Sequence, residues 1–386
     1  MKKIRVAVIG TGNICPAHLD GYLKYPELCE VKALCDIYPE KAVETAKKFN
    51  LKDVKIVKDY HDIMKMEDID LVSLCVPPSL HCQIACDFLS ADKNVISEKP
   101  MASSLEECDK MIAAEKKSKG KLAIISQNRF RTPMMRMKTL LDSGMLGKME
   151  FARVNSMWWR GTNYYDLWWR GTWEKECGGC TINHAVHQID ILQWLVGVPL
   201  SVTSVMKNIA HSNSEVEDVS ISILQYPGAI GEINASLETH DEKQEFHIDT
   251  ANATVSIPWA CVSVKQRENG FFDPNPEEQE KIDKYYNSLP EVENEGHPAE
   301  IKNVLDALNG KGSILVTGEE GRKAVQLICA IYKSATEHVT VELPLKKDDP
   351  FYRKDSMLKL VPRFYKKQKS VENFNVSDIT LGNMGK

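Results

Sequence analysis

The 386-residue chain lacks the features that mark several specialised classes of protein. It has no basic excess: 49 Lys and Arg stand against 54 Asp and Glu, and the net charge of −5 argues against a general nucleic-acid binder. No apolar run approaches the roughly 20 residues of a membrane span. The short N-terminal run IRVAVIG ends in glycine and predicts a β-strand, not a signal peptide. We therefore expect neither a nucleic-acid nor a membrane partner.

Cysteine usage shows no sign of a disulfide framework. The eleven cysteines are scattered, and several lie inside apolar runs such as VSLCV and KALCD. A thiol in such a strand behaves as a small hydrophobic side chain. This usage indicates a reducing environment, so we expect a cytoplasmic protein.

The first 128 residues alternate apolar strands with helices. Near-continuous apolar runs are typical of strands that are buried on both faces of a parallel sheet, and here they are IRVAVIG, CEVKALCD, DLVSLCVPP, NVISEKP and KLAIISQNRF. Amphipathic segments separate them. Regular β-α-β alternation predicts a doubly wound parallel sheet with right-handed crossovers.

The pattern changes after this first unit, and the chain length itself favours two domains. Residues 129–345 hold several alternating strand-like runs and few helices. This predicts an α/β domain with an open, largely antiparallel or mixed sheet. Residues 346–386 are basic and weakly periodic. We interpret them as a tail that follows the surface or is partly disordered, with a subunit contact as the alternative.

A glycine-rich turn follows the first strand. The sequence GTGNIC has Gly10 for a tight turn and Gly12 for close approach of a pyrophosphate, which would rest against backbone N–H groups at the next helix N-terminus. Asp36 ends the second strand, where a carboxylate accepts both ribose hydroxyls and repels a 2′-phosphate. The pattern predicts a Rossmann domain that binds NAD in preference to NADP. The alternative is a glycine turn in a domain that binds no nucleotide. The cofactor contacts predicted in this region are Gly10, Thr11, Gly12, Asn13, Ile14 and Asp36.

Four motifs follow one another along the chain: GTGNIC, CVPPSLH, EKP and GGCTINHAVHQID. Their order resembles the glucose–fructose oxidoreductase / inositol dehydrogenase / MocA family over about residues 3 to 345. The resemblance implies an N-terminal Rossmann domain and a C-terminal α/β domain whose open sheet commonly mediates oligomers. It also implies substrates that are sugars, polyols or their nucleotide conjugates, with a bacterial glycoside 3-dehydrogenase as one possible type.

The same resemblance suggests the catalytic residues. Lys99 resembles the family's site lysine and His187 its catalytic histidine. Asn183 stands where many members carry Asp; because Asn can only hydrogen-bond, this departure places the inositol-dehydrogenase subtype in doubt. Neutral imidazole has the basicity to accept a hydroxyl proton near neutral pH, so His187 is the expected base. Lys99 would stabilise the developing alkoxide, or would itself be the base.

Further cofactor contacts are expected at the ends of later strands of the first domain. Glu98 precedes Lys99 and is interpreted as a ribose or backbone contact, with a surface charge as the alternative. The family resemblance implies that the loop with His81 covers the nicotinamide ribose; the alternative is that His81 only caps a helix. Arg129 either approaches the cofactor or forms an interdomain ion pair. The remaining cofactor contacts predicted here are Cys75, Pro77 and Gln127.

Five of the seven tryptophans fall within the segment WWRGTNYYDLWWRGTW, residues 158–173. A repeat, an aromatic core and the wall of a site are the three interpretations. We favour the wall because the segment leads within a few residues to Asn183 and His187. Indole rings stack on the C–H faces of sugars, and the Arg170 fork suits hydroxyls or a cofactor phosphate. The predicted substrate contacts are Lys99, Tyr165, Trp168, Trp173, Asn183 and His187, and Arg170 is assigned to the cofactor.

A metal site is the alternative use of the glycine-rich turn before His187. Cys177, Cys180, His184 and His187 are residue types that zinc accepts. The three residues between Cys180 and His184 are fewer than structural zinc motifs usually enclose. We predict no metal.

These patterns together predict an NAD-dependent oxidation of a secondary hydroxyl of a sugar or glycoside, with C3 of a glucosyl ring preferred. An inositol, a polyol or a nucleotide sugar is the alternative substrate. Two further alternatives are a redox-neutral enzyme that keeps its NAD bound and a non-catalytic NAD sensor. A homo-oligomer, either a dimer, a tetramer or larger, is expected.

Overall fold

A computed structural model describes residues 3–372 and Phe374. The strands are β1 Ile4–Ile9, β2 Cys29–Cys35, β3 Lys55–Val57, β4 Leu71–Leu74, β5 Asn94–Ser97, β6 Leu122–Ile124, β7 Met149–Met157, β8 Ser201–Lys207, β9 Val219–Tyr226, β10 Ala229–Ser236, β11 Gln244–Thr250, β12 Thr254–Ile257, β13 Ala260–Val262, β14 Val264–Gln266, β15 Phe272–Pro274 and β16 Val341–Glu342. The helices are α1 Cys15–Leu23, α2 Pro39–Lys48, α3 Tyr60–Met64, α4 His81–Ser90, α5 Leu105–Lys117, α6 Thr132–Asp142, α7 Trp173–Glu176, α8 Cys180–Asn183, α9 Val186–Val196, α10 Pro276–Ser288, α11 His297–Leu308, α12 Gly318–Glu337 and α13 Lys354–Leu360.

Six parallel strands form the first sheet in the order β3-β2-β1-β4-β5-β6. Strand β4 is buried along its whole length and β1 along most of it, because helices cover both faces. This burial explains the continuous apolar runs, and the predicted doubly wound parallel sheet is confirmed. The short edge strand β3 and helix α3 were not predicted. Strand β3 has three residues and α3 has five, and elements this short show too little apolar periodicity to be recognised.

Two helices begin with side-chain caps of the capping-box type. The Ser104 hydroxyl accepts from the backbone N–H of Glu107 at 3.3 Å, and the Glu107 carboxylate accepts from the Ser103 N–H at 2.9 Å. At the start of α12, the Thr317 hydroxyl accepts from the Glu320 N–H at 3.4 Å. Each side chain satisfies a donor that the first helical turn leaves unpaired.

The second sheet has eight strands in the order β13-β12-β11-β7-β10-β9-β8-β16. Strands β7 and β10 run parallel, while the other neighbours are antiparallel, so the predicted mixed sheet is confirmed. Burial alternates along β8 and β9, which means that one face lies on the core and the other faces outward. Helices α9 and α12 pack on the inner face. Helix α9 carries His187, so this packing positions the candidate base.

Helix α11 returns from the second predicted domain to pack against α1. The contact is close: a Cβ on Gly21 would lie 2.4 Å from Cδ1 of Ile301. Ile301, Val304 and Leu305 join the apolar cluster on one face of the first sheet. Helix α11 thus completes the apolar core of the first unit, although it lies far along the chain. The domain boundaries predicted at residues 128 and 345 stay predictions.

The C-terminal region from residue 346 packs on the second domain and on helix α5 of the first, as far as it is described. Phe351 and Tyr352 are buried, α13 follows, and residues 361–371 run beside the aromatic segment 158–173. The rest of the predicted tail, Asn373 and residues 375–386, lies outside the described residues. Within the described part of the chain, every helix is too short or too polar to cross a membrane.

Candidate active site

The first glycine of the phosphate-loop motif joins three strands at their carboxyl ends. Gly10 has φ +90°, and its N–H donates to the Cys35 carbonyl at 2.8 Å. A Cβ at this position would lie 2.4 Å from the carbonyl oxygen of Cys75. Only glycine fits both the conformation and the contact. The turn after β1, the end of β2 and the end of β4 therefore meet at one point.

The space beyond this turn fits a dinucleotide. A Cβ on Gly12 would meet nothing within 4 Å, so the loop is open where α1 begins. Asn13 is exposed at the loop tip and Ile14 directly precedes the helix. Asp36 accepts from the backbone N–H and the hydroxyl of Thr11, at 2.8 and 2.7 Å. A helix N-terminus with an open backbone in front of it suits a pyrophosphate, and Asp36 stands at the position of a ribose contact.

The two glycines give a matched test of this arrangement. Gly12→Ala is expected to leave the melting temperature unchanged, because its Cβ enters open space, but to weaken NADH binding at least about tenfold by obstructing the pyrophosphate. Gly10→Ala is expected to lower the melting temperature, because its Cβ collides with the Cys75 carbonyl. Fluorescence titration with NADH and thermal unfolding measure the two effects. Unchanged NADH affinity in Gly12→Ala would contradict the assignment of this loop.

Lys99 and His187 both border a small, largely apolar cavity of about 20 Å³, where the end of β5 meets the start of α9. The Lys99 ammonium donates to the backbone carbonyl of Asn183 at 3.2 Å. Burial lowers the pKa of Lys99, and the Glu98 carboxylate partly opposes that shift. Burial and the nearby Lys99 charge hold the pKa of His187 well below its usual value. The imidazole is therefore neutral near pH 7 and able to accept a proton.

A buried ion pair fixes the helix that carries His187. Arg129 contacts Asp190 with two parallel bonds, Nη2 to Oδ1 at 2.7 Å and Nε to Oδ2 at 2.8 Å, and its Nη1 reaches Glu320 at 3.0 Å. The Ser126 hydroxyl donates to the same Asp190 carboxylate. Of the two roles considered for Arg129, the structure shows the ion pair. It links the end of β6 to α9, one turn beyond the candidate base.

Glu98 lies beneath Lys99 rather than on the open side of the strand end. Its Oε1 accepts from His18 at 3.0 Å and faces His297 at 3.3 Å, while Oε2 accepts from the Lys99 N–H at 3.1 Å. These partners hold the pKa of Glu98 well below its usual range against the opposing effect of burial. Glu98 thus anchors the backbone of Lys99.

His81, Pro77 and Gln127 surround the same strand ends. The His81 ring lies between the carbonyls of Pro100 and Val76, at 2.8 and 2.9 Å, and so joins the EKP turn to the loop after β4. Pro77 opens the 3₁₀ turn that precedes α4. Oε1 of Gln127 is buried and has no hydrogen-bond partner within the described residues. Such an acceptor is suited to a donor supplied by a ligand.

The double-glycine turn holds Asn183 in place. The Asn183 side-chain amide donates to the Gly178 carbonyl at 3.0 Å, while its backbone carbonyl accepts from Lys99. Glu217 accepts from the N–H groups of Gly179 and Thr181 at 3.0 and 3.1 Å, and burial raises its pKa to about 7. A Cβ on Gly179 would lie 1.8 Å from the Glu217 carbonyl oxygen. Asn183 therefore connects the turn to the candidate catalytic lysine.

The aromatic segment is divided between core and site. Trp173 is fully buried, with its indole N–H donating to the Pro362 carbonyl at 2.8 Å, and Tyr165 is 1% exposed. The structure thus places these two predicted substrate contacts in packed core and not on an open wall, because long-range partners cover them. Trp168 is half-buried, with the Lys175 ammonium 4.7 Å from its ring centroid.

Arg170 is the member of the segment whose charge acts on the candidate lysine, Lys99. Its guanidinium carbon is 4.1 Å from the ring centroids of both Tyr164 and Trp169, and Nη1 donates to Glu176 at 2.7 Å. Its charge contributes to lowering the pKa of Lys99. Nε is buried without a hydrogen-bond partner in the described chain. Arg170 is therefore held beside Lys99 by aromatic stacking and an ion pair.

Tyr164 and His184 belong to this wall and were not among the predicted contacts. The Tyr164 hydroxyl lies 3.4 Å from Nε2 of His184. Burial, together with Arg160 and Arg170, keeps the pKa of His184 well below its usual value. Tyr164 is adjacent to a residue that was predicted, and His184 was considered only as a metal ligand. Of the two adjacent tyrosines, the predicted Tyr165 is the more deeply buried, and an irregular turn gives no periodicity from which this difference could be predicted.

The four residues considered as zinc ligands point in different directions. The Cys177 thiol contacts the Ser103 hydroxyl at 2.9 Å, while the Cys180 thiol contacts the Ala235 carbonyl at 3.9 Å. Among residues 3–372 and Phe374, the side chains close enough to share an ion form two other groups. These are His18, Glu98, His297 and His211, Asp218, Glu238.

Comparison with known proteins finds a family match for the part of the chain that forms each of the two sheets. Residues 4–126 match the NAD-binding Rossmann-fold domain of the GFO/IDH/MocA oxidoreductases, and residues 138–343 match the C-terminal alpha/beta domain of the same family. The chain belongs to the GFO/IDH/MocA oxidoreductase family. The predicted family and its NAD cofactor are thereby confirmed, and the first unit is an NAD-binding Rossmann domain.

Relatives in this family span nearly the whole chain. The uncharacterized oxidoreductase YrbE of Bacillus subtilis is 23% identical over 351 residues, 86% of this chain and 94% of its own. Myo-inositol 2-dehydrogenase of Thermotoga maritima is 22% identical over 360 residues, 88% of this chain and 98% of its own. The family members thus include dehydrogenases of polyols.

Solved structures show the same fold. The WlbA dehydrogenase from Bordetella pertussis, in complex with NADH and UDP-GlcNAcA, has a TM-score of 0.77 at 28% identity and covers 89% of this chain and 100% of its own. Levoglucosan dehydrogenase in complex with NADH and levoglucosan has a TM-score of 0.74 at 22% identity, with 89% and 100% covered. Sugar and nucleotide-sugar dehydrogenases are therefore among the structural relatives of this family member.

Proposed function

We propose that this oxidoreductase uses NAD to oxidise a secondary hydroxyl of a sugar or glycoside, with C3 of a glucosyl ring as the preferred position. The observation that carries the proposal is the proximity of Lys99 and His187, which border the same small cavity at the carboxyl end of β5 in the NAD-binding sheet. A cation and a neutral imidazole at this place supply the two groups that alcohol oxidation needs.

The division of work between them follows from their surroundings. His187 would accept the hydroxyl proton, because its ring is uncharged near pH 7. Lys99, held by the Asn183 carbonyl, would donate to the same oxygen and stabilise the negative charge that develops on it. The loop from Gly10 to Ile14 and Asp36 would hold NAD, which would supply the hydride acceptor for the carbinol carbon. In the alternative assignment, Lys99 is the base, since its pKa is also lowered.

A substrate panel tests the proposal. Purified protein is incubated with NAD and, separately, with methyl β-D-glucopyranoside, an aryl glucoside, levoglucosan, myo-inositol and UDP-GlcNAcA, while NADH absorbance and product mass are followed. A keto-glycoside with matching NADH supports the proposal. A changed product without NADH accumulation would indicate the redox-neutral alternative, and NAD binding without any product across the panel would indicate a sensor.

A nucleotide-linked sugar acid is the second candidate. The WlbA dehydrogenase, 28% identical, was solved with UDP-GlcNAcA. In this chain, Arg160 and Arg170 both lie beside Tyr164, at 5.7 and 4.1 Å from its ring centroid, and provide positive charge near the site. Turnover of UDP-GlcNAcA alone in the same panel would select this candidate over the glycoside.

We also propose a cytoplasmic homo-oligomer that uses the outward face of the second sheet. Four apolar side chains on β8, β9 and β10 are 44–60% exposed there: Val205, Ile221, Ile223 and Ile230. An exposed apolar patch of this kind is typical of an interface. Ile223→Lys is expected to lower the molar mass measured by light scattering after size-exclusion chromatography, whereas Val43→Lys, on a helix of the first domain, leaves it unchanged. Equal masses for both variants would contradict the proposed interface.

A further inference from the structure

Residues 361–371, here called the C-terminal strap, extend the chain beyond the matched family domain, which ends at residue 343. The strap pairs with the aromatic segment through its backbone. Val371 donates to the Asp166 carbonyl at 2.7 Å, and the Trp168 N–H donates to the Val371 carbonyl at 2.9 Å. These two bonds form a parallel bridge on either side of Leu167. The strap thus fixes the backbone three residues before Arg170.

Side chains hold the strap at further points. The Asn213 amide oxygen accepts from the N–H groups of Gln368 and Lys369, at 2.7 and 2.9 Å, and its NH₂ group donates to the Lys369 carbonyl at 2.9 Å. The Lys369 ammonium pairs with the buried Asp166 carboxylate. At the other end, Trp173 donates to the Pro362 carbonyl. The attachments therefore bracket the turn from Asp166 to Trp173.

The turn from Asp166 to Trp173 also carries Arg170, whose side chain belongs to the wall of the candidate site. Arg170 donates its backbone N–H to the Leu167 carbonyl at 3.0 Å. Leu167 is the residue that pairs with Val371 of the strap, so the strap also fixes the backbone position of Arg170. The Arg170 side chain reaches Tyr164 and Glu176. The Lys367 ammonium of the strap donates to the Tyr165 carbonyl, next to Tyr164. The strap does not contact Lys99 or His187 in any described hydrogen bond; its route to them is through Arg170 and Tyr164.

We infer that the C-terminal strap is a positioning element of the substrate site, which holds Arg170 and Tyr164 against the reacting centre so that the substrate is bound in a productive orientation. The inference rests on the proposed function for its kinetic consequence only. Among residues 3–372 and Phe374, no hydrogen bond or ion pair joins the phosphate loop at Gly10 and Gly12 to the strap, so we expect NADH binding through that loop to be independent of the strap. The Arg170 guanidinium, assigned to the cofactor from the sequence, pairs with Glu176 in the structure. Misplacement of positioning groups by about 1 Å costs on the order of 100-fold in rate.

Two variants test this role against matched controls. A chain ending at Tyr365 loses most of the strap, whereas a chain ending at Phe374 keeps all of it. In the full-length chain, Val371→Pro removes the N–H that donates to Asp166 and leaves the rest of the strap in place. The measurements are KM for methyl β-D-glucopyranoside with NAD, the NADH dissociation constant from fluorescence, and the rate of trypsin cleavage after Arg170.

Both strap variants are expected to raise KM and thereby lower kcat/KM about 10- to 100-fold. They should also accelerate cleavage after Arg170, with NADH affinity within about twofold of the chain ending at Phe374. A synthetic peptide of residues 366–374 is expected to restore trypsin resistance to the chain ending at Tyr365. If that chain fails to fold, Val371→Pro decides. Wild-type KM and wild-type trypsin resistance in Val371→Pro would overturn the inference, and so would an equal loss of NADH binding. If the wild-type protein does not oxidise the glucoside, the proposed substrate is wrong, while the trypsin and peptide results still decide the role of the strap.

Discussion

Replacing His187 with alanine is expected to lower kcat by about 10²- to 10⁴-fold, the range that a positioned general base contributes. NADH affinity should remain within about twofold, because the phosphate loop and Asp36 lie on other strand ends. Lys99→Met is expected to lower kcat to a similar extent by removing the cation that stabilises the alkoxide. Steady-state kinetics and fluorescence titration measure the two quantities. Near-wild-type turnover in either variant would contradict the assignment of the pair.

The pH profile separates the two assignments of the base. The pKa of His187 lies well below its ordinary 6.5, so a His187 base is already neutral at pH 7 and kcat/KM should fall only as the pH drops below about 6.5. Burial lowers the pKa of Lys99 from its ordinary 10.5, and a Lys99 base would give an acidic limb that is lost in Lys99→Met and kept in His187→Ala. Retention of the acidic limb in His187→Ala would show that another group accepts the proton.

Loss of the Arg129 guanidinium is the change with the largest expected effect on stability. Arg129 and Asp190 are 2% and 8% exposed and form two parallel bonds, so Arg129→Met leaves a carboxylate buried without its counter-ion. Breaking a buried pair in this way costs about 3–5 kcal/mol. Chemical denaturation monitored by circular dichroism measures the free energy of unfolding.

A surface pair provides the control for this prediction. Arg267 and Asp273 are also within ion-pair distance, but they are 51% and 44% exposed, so Arg267→Met should cost about 0–1 kcal/mol. The double variant Arg129→Met/Asp190→Leu should recover part of the loss, because no unpaired charge stays buried. Equal costs for Arg129→Met and Arg267→Met would contradict the structural importance assigned to the buried pair.

The parts of the site that are formed by residues close together in the sequence could be predicted from the sequence. The phosphate loop could be located because a buried strand, a glycine turn and a helix follow one another within a few residues, and the steric need for Gly10 is set by the ends of strands in the same sheet. Lys99 and His187 were suggested by motif resemblance. The structure brings them to one cavity although 87 residues separate them along the chain.

Residues whose environment depends on distant parts of the chain were not predictable. Trp173 was assigned to the substrate wall because of the residues next to it in sequence. Its indole N–H instead donates to the Pro362 carbonyl, and no local sequence pattern predicts that contact. His81 was considered as a cofactor contact or a helix cap, whereas its ring joins two turns of the Rossmann domain. Asn213 carries no motif at all, yet it makes three of the bonds that hold the strap. In each case the partner is set by tertiary packing rather than by sequence spacing.

The transfer of deuterium tests the central claim most directly. Wild-type protein is incubated with NAD and methyl β-D-glucopyranoside that carries deuterium at C3, and the reduced cofactor is isolated for mass spectrometry. Hydride transfer from C3 predicts NADH that is heavier by one deuterium, together with the 3-keto product. Unlabelled NADH, or an absence of reduced cofactor and product from this glycoside, would contradict the proposed reaction.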